Sequence, residues 1–343
     1  MNERVVLVTG GAGYIGSHAC KALSRAGYLP VTFDNLVRGH EWAVKWGPLE
    51  QGDILDRPRL DAAIAKHRPS AILHFAAFAY VGESSIDPGK YYRNNVAGSL
   101  NLLEAARDAG IANFVLSSTC ATYGAPERLP IAEDTPQRPI NPYGASKLMA
   151  ERLLADFGAA HGLRYVVLRY FNAAGADPDG EIGEDHDPET HLIPYVLDAA
   201  SGRRPRVTVF GTDYDTDDGT CVRDYIHVSD LASAHVMALQ ASERGLASDA
   251  YNLGTGRGFS VLEVIRAVER ATGIEVPMQH GPRRAGDPAI LVSDATKART
   301  VLGWQPQMAD LDAIVLTAWA WHQRGRSNDV LAQRSGDIAR GSL

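Results

Sequence analysis

Cysteine is scarce in this chain, with Cys20, Cys120 and Cys221 as the only three among 343 residues. Three widely spaced cysteines cannot build a disulfide framework and match no zinc-binding spacing. The sequence also has no apolar run long enough to cross a membrane, and no signal-peptide pattern precedes the β-like segment Val5–Thr9. We therefore expect a cytoplasmic protein with no metal site, disulfide scaffold or membrane span.

An excess of positive charge is equally lacking. The formal net charge is −7, and acidic and basic residues are interspersed along the chain. This pattern gives no basic surface for nucleic acid or anionic lipid, so neither partner is expected. An anionic small molecule would have to be held by a few local arginines. The length and the ordinary apolar content favour one large core with an appended lobe.

The first half of the chain alternates β-branched apolar runs with helical patterns. The predicted strands are Val5–Thr9, Pro30–Phe33, Ala71–Ala76, Phe114–Thr119 and Tyr165–Tyr170. The predicted helices between them are Ser17–Ala26, Arg57–His67, Val96–Ala109 and Tyr143–Phe157. Continuous apolar strands separated by helices are typical of a parallel sheet covered on both faces. The sequence therefore predicts an α/β fold with a Rossmann-type doubly wound sheet and a smaller C-terminal lobe.

The domain division follows a change of composition near residue 174. Residues 1–174 are predicted to form the nucleotide-binding domain, to which residues 226–255 return. The segment Gly175–Pro188 is rich in Gly, Asp, Glu and Pro, as expected of a loop-rich lobe. That lobe is predicted to comprise residues 175–225 and 256–325, with helices at Val261–Thr272 and Leu311–His322. Residues 326–343 form a polar tail. Asp224–Ala241 is interpreted as a strand and a helix that return to the main sheet.

A glycine-rich loop, Gly10–Gly16, follows the first predicted strand and opens the first helix. Glycines at such a turn allow a pyrophosphate to approach backbone N–H groups at the positive end of a helix. The second strand ends at Asp34, whose carboxylate can bind both ribose hydroxyls and repels a 2′-phosphate. This favours NAD over NADP, although Arg38 lies nearby. Asp53 is a candidate for the adenine edge, with a simple turn role equally open.

Tyr143 and Lys147 are spaced i and i+4, on one face of the helix after Pro142. An ammonium and a positive nicotinamide ring would each favour the phenolate of Tyr143 and make it a base. Ser117–Thr119 end a predicted strand, where open parallel sheets bind their ligands. A Tyr-x-x-x-Lys spacing alone is common by chance. Together with the glycine loop, however, it predicts a catalytic site at that edge.

These features resemble the extended short-chain dehydrogenase/reductases. Within them the chain is similar, over nearly its whole length, to the UDP-glucose 4-epimerases. The segments that carry the resemblance are Gly10–His18, Asp34–Leu36, Val81–Ser84, Asn94–Val96, Arg169–Gly175, Gly219–Asp230, Tyr251–Gly256 and Arg283–Asp287. The resemblance implies C4 epimerisation of a UDP-sugar (UDP-galactose to UDP-glucose) through a 4-keto sugar, with NAD kept bound and a homodimeric assembly.

The resemblance also implies residue roles. The catalytic residues are Tyr143 as base, Thr119 as its hydroxyl partner and Lys147 as the cofactor anchor. The cofactor-binding residues are Gly10, Gly13, Tyr14, Ile15, Gly16, Asp34, Asn35, Asp53, Ile54, Phe75, Asn94, Lys147 and Tyr170. The substrate-binding residues are Thr119, Tyr143, Asn172, Leu192, Phe210, Arg223, Tyr225, Arg284, Asp287 and Leu291. For Arg223 and Arg284, two surface ion pairs in loops are the simpler alternative.

Other functions are alternatives to the 4-epimerase activity that the resemblance implies. A 4,6-dehydratase shares the first step but needs an Asp-Glu acid pair after the threonine, where this chain has Cys120-Ala121. A 3,5-epimerase would use a cysteine acid, but the apolar surroundings of Cys120 favour a core residue. A non-catalytic NAD sensor has no need of Thr119, Tyr143 and Lys147. A UDP-xylose/UDP-arabinose 4-epimerase would use the same groups and stays open.

Two positions depart from the family pattern. Some members have a lysine against the cofactor phosphates after the Phe-Ala-Gly strand end, but here the segment Phe75–Ala79 contains none. His191 stands where other members have an asparagine, and a polar helix-start residue is as good an interpretation as a ligand contact. A further expectation concerns Leu291, which would limit the space beside the sugar.

Overall fold

The computed structural model describes residues 4–284 and 287–324. Its strands are β1 (Arg4–Thr9), β2 (Tyr28–Asp34), β3 (Leu49–Gln51), β4 (Ala71–His74), β5 (Asn113–Thr119), β6 (Arg164–Tyr170), β7 (Asn172–Ala174), β8 (Val207–Phe210), β9 (Val222–His227), β10 (Asp249–Leu253), β11 (Gly258–Ser260), β12 (Met278–Gly281) and β13 (Ile290–Leu291). Its helices are α1 (Tyr14–Arg25), α2 (Arg57–His67), α3 (Val81–Ile86), α4 (Pro88–Tyr91), α5 (Gly98–Asp108), α6 (Pro142–His161), α7 (Leu192–Ala200), α8 (Val228–Glu243), α9 (Val261–Thr272) and α10 (311–324).

A seven-stranded sheet forms the centre of the molecule. Its strand order is β10-β6-β5-β4-β1-β2-β3, and all of its neighbouring strands are parallel. Two buried apolar clusters cover its faces, one against α1 and α8 and the other against α2, α5 and α6. The predicted doubly wound parallel sheet is confirmed. The strand after residue 71 is shorter than predicted, because the chain leaves the sheet after His74.

Local sequence signals determine where α6 begins, and an ion pair attaches it to the sheet. The Asn141 side chain accepts the N–H of Gly144 at 2.8 Å, and Pro142 occupies the first turn of α6. Glu151, buried in the same helix, pairs with Arg169 of β6 at 2.7 Å. These contacts fix α6 against the face of the sheet. The helix therefore carries its first turn to the carboxyl ends of the strands.

The second lobe contains a small sheet with the order β11-β9-β13, in which β7 also pairs with β9. A parallel pair, β12-β8, lies apart from it, and a third apolar cluster joins these strands to α7, α9 and α10. The prediction that the strand near Asp224 returns to the main sheet is wrong. Strand β9 belongs to the small sheet, whereas α8 packs on α1 and β10 completes the large one.

Across residues 4–284 and 287–324, the helices include none that is both long enough and apolar enough to span a membrane. The polar tail predicted for residues 326–343 lies outside the described residues, as does residue 325 of the predicted lobe.

Candidate active site

The glycine loop lies between β1 and α1 and forms one wall of a cleft. Gly10 has a φ of +75°, and a Cβ there would meet the backbone of Ala76 at 2.5 Å. A Cβ at Gly16 would lie 2.1 Å from the carbonyl oxygen of Gly10. Both positions therefore require glycine. Gly13, at the N-cap of α1, makes no side-chain capping bond, so the N–H groups of the first turn can bind an anion.

Asp34 closes the opposite side of this loop at the end of β2. Its carboxylate accepts the N–H of Ala12 at 3.0 Å and the N–H of Leu36 at 2.9 Å. Burial raises the pKa of Asp34, and the two backbone bonds act against that rise. The side chain thus shapes the loop, and its remaining lone pairs can accept ribose hydroxyls.

Asp53 does not line the cleft. Its carboxylate accepts a hydrogen bond from the Asn35 amide at 2.9 Å and another from the N–H of Leu55 at 2.8 Å. Asn35 itself does line the cleft. Asp53 is therefore placed to orient Asn35.

The cleft gathers nearly all of the predicted cofactor residues. Those that line it are Gly10, Gly13, Tyr14, Ile15, Gly16, Asp34, Asn35, Ile54, Phe75, Asn94, Lys147 and Tyr170. Asn94 is brought there by a π-helical segment, Tyr92–Ala97, between α4 and α5. Its amide donates to Asn95 at 2.9 Å, and Asn95 donates to Ser146 of α6 at 3.0 Å. π-Helical turns are frequent at functional sites because they turn a side chain away from the regular helical face.

Tyr143 and Thr119 meet at the sheet edge because α6 approaches the chain after β5 closely. A Cβ at Gly144 would lie 2.4 Å from the carbonyl oxygen of Ala121. This contact brings the first turn of α6 onto the end of β5, where the Thr119 side chain interacts with Tyr143 and acts to lower its pKa. Tyr143 and Thr119 are 8% and 6% exposed, respectively, so the pair is shielded from bulk water.

Burial is the main determinant of the pKa of Tyr143. Burial raises the pKa of Tyr143 well above its ordinary value, the neighbouring Tyr170 adds to the rise, and only the Thr119 hydrogen bond lowers it. Lys147 is not among the largest of these causes, so the expected effect of its ammonium on the pKa of Tyr143 stays a prediction. The lysine is itself desolvated, and burial lowers its pKa to about 8 while Glu151 acts against that decrease.

Lys147 donates to the carbonyl oxygen of Ser117 at 2.8 Å. Ser117 was not predicted as a cofactor contact, but it lines the cleft and its hydroxyl lies 2.8 Å from that of Tyr170. An ammonium has three donors, so Lys147 keeps capacity for a ligand hydroxyl in the cleft. Its place on the wall, one turn after Tyr143, fits the predicted role of cofactor anchor.

The substrate-lobe residues converge on β9 and its neighbours. Arg223 lies on β9 beside Leu291 of β13, and its guanidinium pairs with Asp287. Arg223 therefore lies on a strand rather than in a loop, and its ion-pair partner is Asp287. Asp224 is fully buried and accepts bonds from backbone N–H groups, including that of Ser293 at 3.1 Å.

The other predicted substrate residues extend this surface. Asn172 and Tyr225 are register partners in the β7–β9 pair, and Leu192 begins α7. The Arg284 guanidinium lies 4.2 Å from the ring centre of Phe210, which ends β8. The structure therefore brings Phe210 and Arg284 into direct contact.

Leu291 joins the lobe to the catalytic edge. It packs against the buried cluster of Cys120, Tyr123, Ile131 and Phe171, and Cys120 follows Thr119 directly in the chain. Burial raises the pKa of Cys120 to about 12, which keeps the thiol protonated. This fits the interpretation of Cys120 as a core residue rather than an acid catalyst.

A cluster of acids and histidines at the cleft was missed by sequence reasoning. Glu184, His186, Glu189 and His191 bring their ligand atoms within 4.8 Å of one another, and both histidines line the cleft. His191 precedes α7 but its side chain does not cap it; its Nδ1 contacts Glu184 instead. The recurrence of Glu and His in this short stretch was the available signal. It was interpreted only as loop composition.

Comparison with known proteins agrees with this geometry. Residues 6–254 match the model of the NAD dependent epimerase/dehydratase family. A UDP-glucose 4-epimerase of Rhizobium meliloti (strain 1021) is 57% identical over 94% of this chain and 98% of its own length.

Two solved structures are similar in both sequence and fold. A UDP-glucose 4-epimerase from Brucella ovis in complex with NAD is 55% identical, with a TM-score of 0.91 over 92% of this chain and 98% of that one. A UDP-glucose 4-epimerase from Stenotrophomonas maltophila, with bound NAD and formylated UDP-arabinopyranose, is 45% identical. Its TM-score is 0.91, over 95% of this chain and 100% of that one.

Proposed function

The chain belongs to the NAD dependent epimerase/dehydratase family, and from that premise we propose that it is an isomerase that inverts carbon 4 of a UDP-sugar. The observation that carries the proposal is the buried contact between Tyr143 and Thr119 at the end of β5, beside Lys147 and the glycine loop. We propose UDP-galactose and UDP-glucose as the pair that it interconverts, because the full-length relatives carry that name.

NAD fits the residues of the cleft. The uncapped N-terminus of α1 offers free N–H groups to a pyrophosphate, and Asp34 at the end of β2 offers carboxylate oxygens to a ribose. Lys147 and Tyr170 stand at the other end of the same cleft, beside Tyr143. When bound, NAD supplies the group that takes the C4 hydrogen of the sugar and gives it back.

The proton chemistry belongs to Tyr143 and Thr119. Tyr143 takes the proton from the sugar 4-hydroxyl, and the Thr119 hydroxyl can donate to the resulting phenolate, whose formation it favours. Burial works against this phenolate, and the Lys147 ammonium and the positive charge of a bound nicotinamide would each lower the pKa of Tyr143 toward the range that a base requires. Tyr143 returns the proton once the 4-keto sugar has turned its other face.

The second lobe holds the nucleoside diphosphate. Arg223 offers its guanidinium to the diphosphate from β9, and Arg284 offers a second one beside Phe210. We assign the same binding role to Asn172 and Tyr225, which pair across β7 and β9, and to Leu192 and Asp287. A sugar held only through its diphosphate can rotate, and inversion at carbon 4 requires such a rotation.

The assembly and the domains are part of this proposal. With β7 and β9 kept in the small sheet, we assign residues 4–171 and 228–255 to the nucleotide-binding domain, and residues 172–227 and 256–324 to the substrate lobe. Large apolar side chains are exposed on the π-helical segment, α5 and α6, with Tyr92 at 37%, Leu100 at 36% and Met149 at 46%. A second copy of the chain would bury this surface, so we propose a homodimer. We propose a cytoplasmic location for it.

Product analysis without added cofactor tests the proposal. Purified protein is incubated with UDP-galactose or with UDP-xylose, and the nucleotide sugars are separated by chromatography. We expect conversion of UDP-galactose to a mixture with UDP-glucose, and release of NAD when the protein is denatured. A strict need for added NAD with accumulation of NADH would indicate a dehydrogenase, and a 4-keto-6-deoxy product a dehydratase. Faster conversion of UDP-xylose would favour the pentose alternative, for which the arabinopyranose complex of a relative is the specific support.

A further inference from the structure

One segment of the substrate lobe lies against the nucleotide-binding domain beside the cofactor cleft. We call residues Asp177–His191, which precede α7, the strap. Among the described residues, five side chains from outside donate hydrogen bonds to its backbone carbonyls, namely Arg38 to Asp187, His40 to Asp185, Lys45 to Glu181, Trp321 to Glu184 and Arg324 to Gly180. Because the carbonyls are held at several points, the path of the strap is fixed.

The strap carries a compact ionic cluster. Glu184 contacts Nδ1 of His191, and its Oε1 lies 3.0 Å from Nδ1 of His186. Glu189 stands 4.0 Å from the same His186 nitrogen. The Glu184 side chain is only 6% exposed, whereas that of His191 is 43% exposed and lines the cleft. The Glu184 carboxylate is therefore buried behind the His191 imidazole, which faces the cleft.

The cluster faces the phosphate-binding end of the cleft. The His186 ring lies 6.1 Å from the ring of Tyr14, the first residue of α1, and 6.1 Å from that of Tyr80. The hydroxyl of Tyr80 is buried and has no hydrogen-bond partner among residues 4–284 and 287–324. A buried donor left unpaired is costly, so a polar ligand atom is expected near it.

Charges from several elements act in this corner. Burial disfavours the cationic form of His191, but Glu184 outweighs it and raises the pKa of His191 to about 9. The pKa of Glu189 is raised to about 7, first by burial and then by Glu184. Arg38 faces the cluster across the Tyr80 ring and lies 3.7 Å from Glu83. Burial raises the pKa values of Tyr14 and Tyr80, so both stay neutral at neutral pH.

We propose that the strap forms the wall of the cleft opposite the N-terminus of α1, and that its Glu184–His191 ion pair binds a diphosphate there. His191 makes the contact, and Glu184 is a positioning residue that holds the imidazole charged and in place. The diphosphate belongs either to NAD or to the UDP-sugar. This inference rests on the proposed function, because that function supplies both ligands.

Two variants and a matched control test the inference on the full chain with its cofactor. His191→Gln removes the cation and keeps a polar side chain of similar reach. Glu184→Gln removes only the carboxylate charge that pairs with His191. His67→Gln is the control, because His67 pairs with Glu50 at 2.6 Å in the same manner but does not line the cleft. Thermal melting establishes that each variant folds.

Binding is measured in two arms that do not depend on turnover. The first follows exchange of bound NAD for labelled NAD, and the second measures the affinity for UDP by calorimetry. We expect His191→Gln to accelerate NAD exchange or to weaken UDP binding about tenfold, as for loss of a hydrogen bond to a charged group. The arm that changes identifies which diphosphate is bound. His67→Gln should match the wild type in both.

The pH dependence separates a charged contact from a structural one. In the wild type the affected affinity should fall as pH rises through about 9, where His191 loses its proton. In Glu184→Gln the fall should move toward the ordinary imidazole range, and in His191→Gln it should vanish.

If His191→Gln and Glu184→Gln both exchanged NAD and bound UDP as the wild type does, the inference would be wrong. So would a stoichiometric divalent metal retained by the purified protein, because a metal held by the four side chains would leave no free imidazolium. If the wild type bound neither NAD nor UDP, the proposed function itself would fail.

Discussion

The nucleotide-binding sheet and the substrate lobe hold their functional side chains in different ways. On the sheet side, Tyr143 and Lys147 lie on one long helix that Glu151 ties to β6, and all three side chains are buried. In the lobe, Arg223 and Leu291 stand on short strands. Under the proposed function, buried elements would hold the catalytic groups, whereas short strands joined by ion pairs would determine which ligand binds. Substitutions on the sheet side should therefore affect kcat, and substitutions on the lobe side should affect KM and specificity.

The largest effect is expected on the sheet side, for Tyr143→Phe. The change removes only the hydroxyl that accepts the proton, and loss of a general base typically costs about 10²–10⁴-fold in rate. NAD content and UDP affinity should stay near those of the wild type. Tyr165→Phe, a half-buried tyrosine outside the cleft, is the control. A Tyr143→Phe variant that kept more than about a tenth of the wild-type kcat would contradict the assignment.

Gly144→Ala tests whether close packing positions the base. The new methyl would meet the carbonyl oxygen of Ala121 at 2.4 Å, so the first turn of α6 must shift away from Thr119. A small displacement of a catalytic group can cost about 10²-fold in rate. We expect kcat to fall by about that factor with KM nearly unchanged. Gly162→Ala, at the open C-terminal end of the same helix, would strain the backbone without touching the site. Equal kcat values for the two variants would show that the close approach does not matter.

On the lobe side, Arg223→Met should raise KM and spare kcat. The guanidinium is offered to the diphosphate, and a hydrogen bond to a charged group contributes roughly 1.5–3 kcal/mol, or about tenfold or more in affinity. Steady-state kinetics with UDP-galactose measure the change. Arg270→Met is a matched control, since Arg270 pairs with Asp312 on an exposed surface. A loss confined to kcat would place Arg223 in the chemistry instead.

Leu291→Ser sharpens the comparison further, because it should alter only substrate choice. Leucine is bulky and offers no hydrogen bond to an acetamide, and an unpaired buried amide costs about 1–3 kcal/mol. We expect wild-type kcat/KM to be at least about tenfold higher for UDP-galactose than for UDP-N-acetylgalactosamine. The serine variant should narrow this gap. Equal wild-type values for both substrates would refute a limiting role for Leu291.

The smallest effect is expected for the pH profile of Thr119→Val. The Thr119 hydrogen bond lowers the pKa of Tyr143, so its removal should raise that pKa. Activity that needs the phenolate would then rise at a higher pH, by about one pH unit or less, as for a hydrogen bond of about 1 kcal/mol. Measurement of kcat/KM across pH reveals the shift. An unchanged acidic limb would show that Thr119 does not tune the base.

The sheet could be predicted well from the sequence and the lobe less well, for a physical reason. Val5–Thr9 and its fellow strands are continuous apolar runs separated by amphipathic helices, a pattern that local sequence fully encodes. Strand β9 begins with Val222 and Arg223 half exposed, and its place was set by pairing with β7 and β13, which are distant in sequence. For that reason its return to the main sheet was wrongly predicted.

The site shows the same division. The glycine loop, Asp34 and the Tyr143/Lys147 spacing are local signals, and these residues line the cleft as expected. The electrostatics could not be predicted, because the pKa of Tyr143 depends on burial and on Tyr170, which comes from another strand. The pairing of Glu184 with His191 likewise depends on how the strap lies against the cleft.

Retention of deuterium tests the central claim most directly. UDP-galactose labelled with deuterium at carbon 4 is converted by the purified protein in ordinary water, with no NAD added, and the product is analysed by mass spectrometry and NMR. We expect UDP-glucose with the deuterium still at carbon 4, because the C4 hydrogen leaves and returns within one bound complex. Loss of the deuterium to solvent, or conversion only with added NAD, would contradict it.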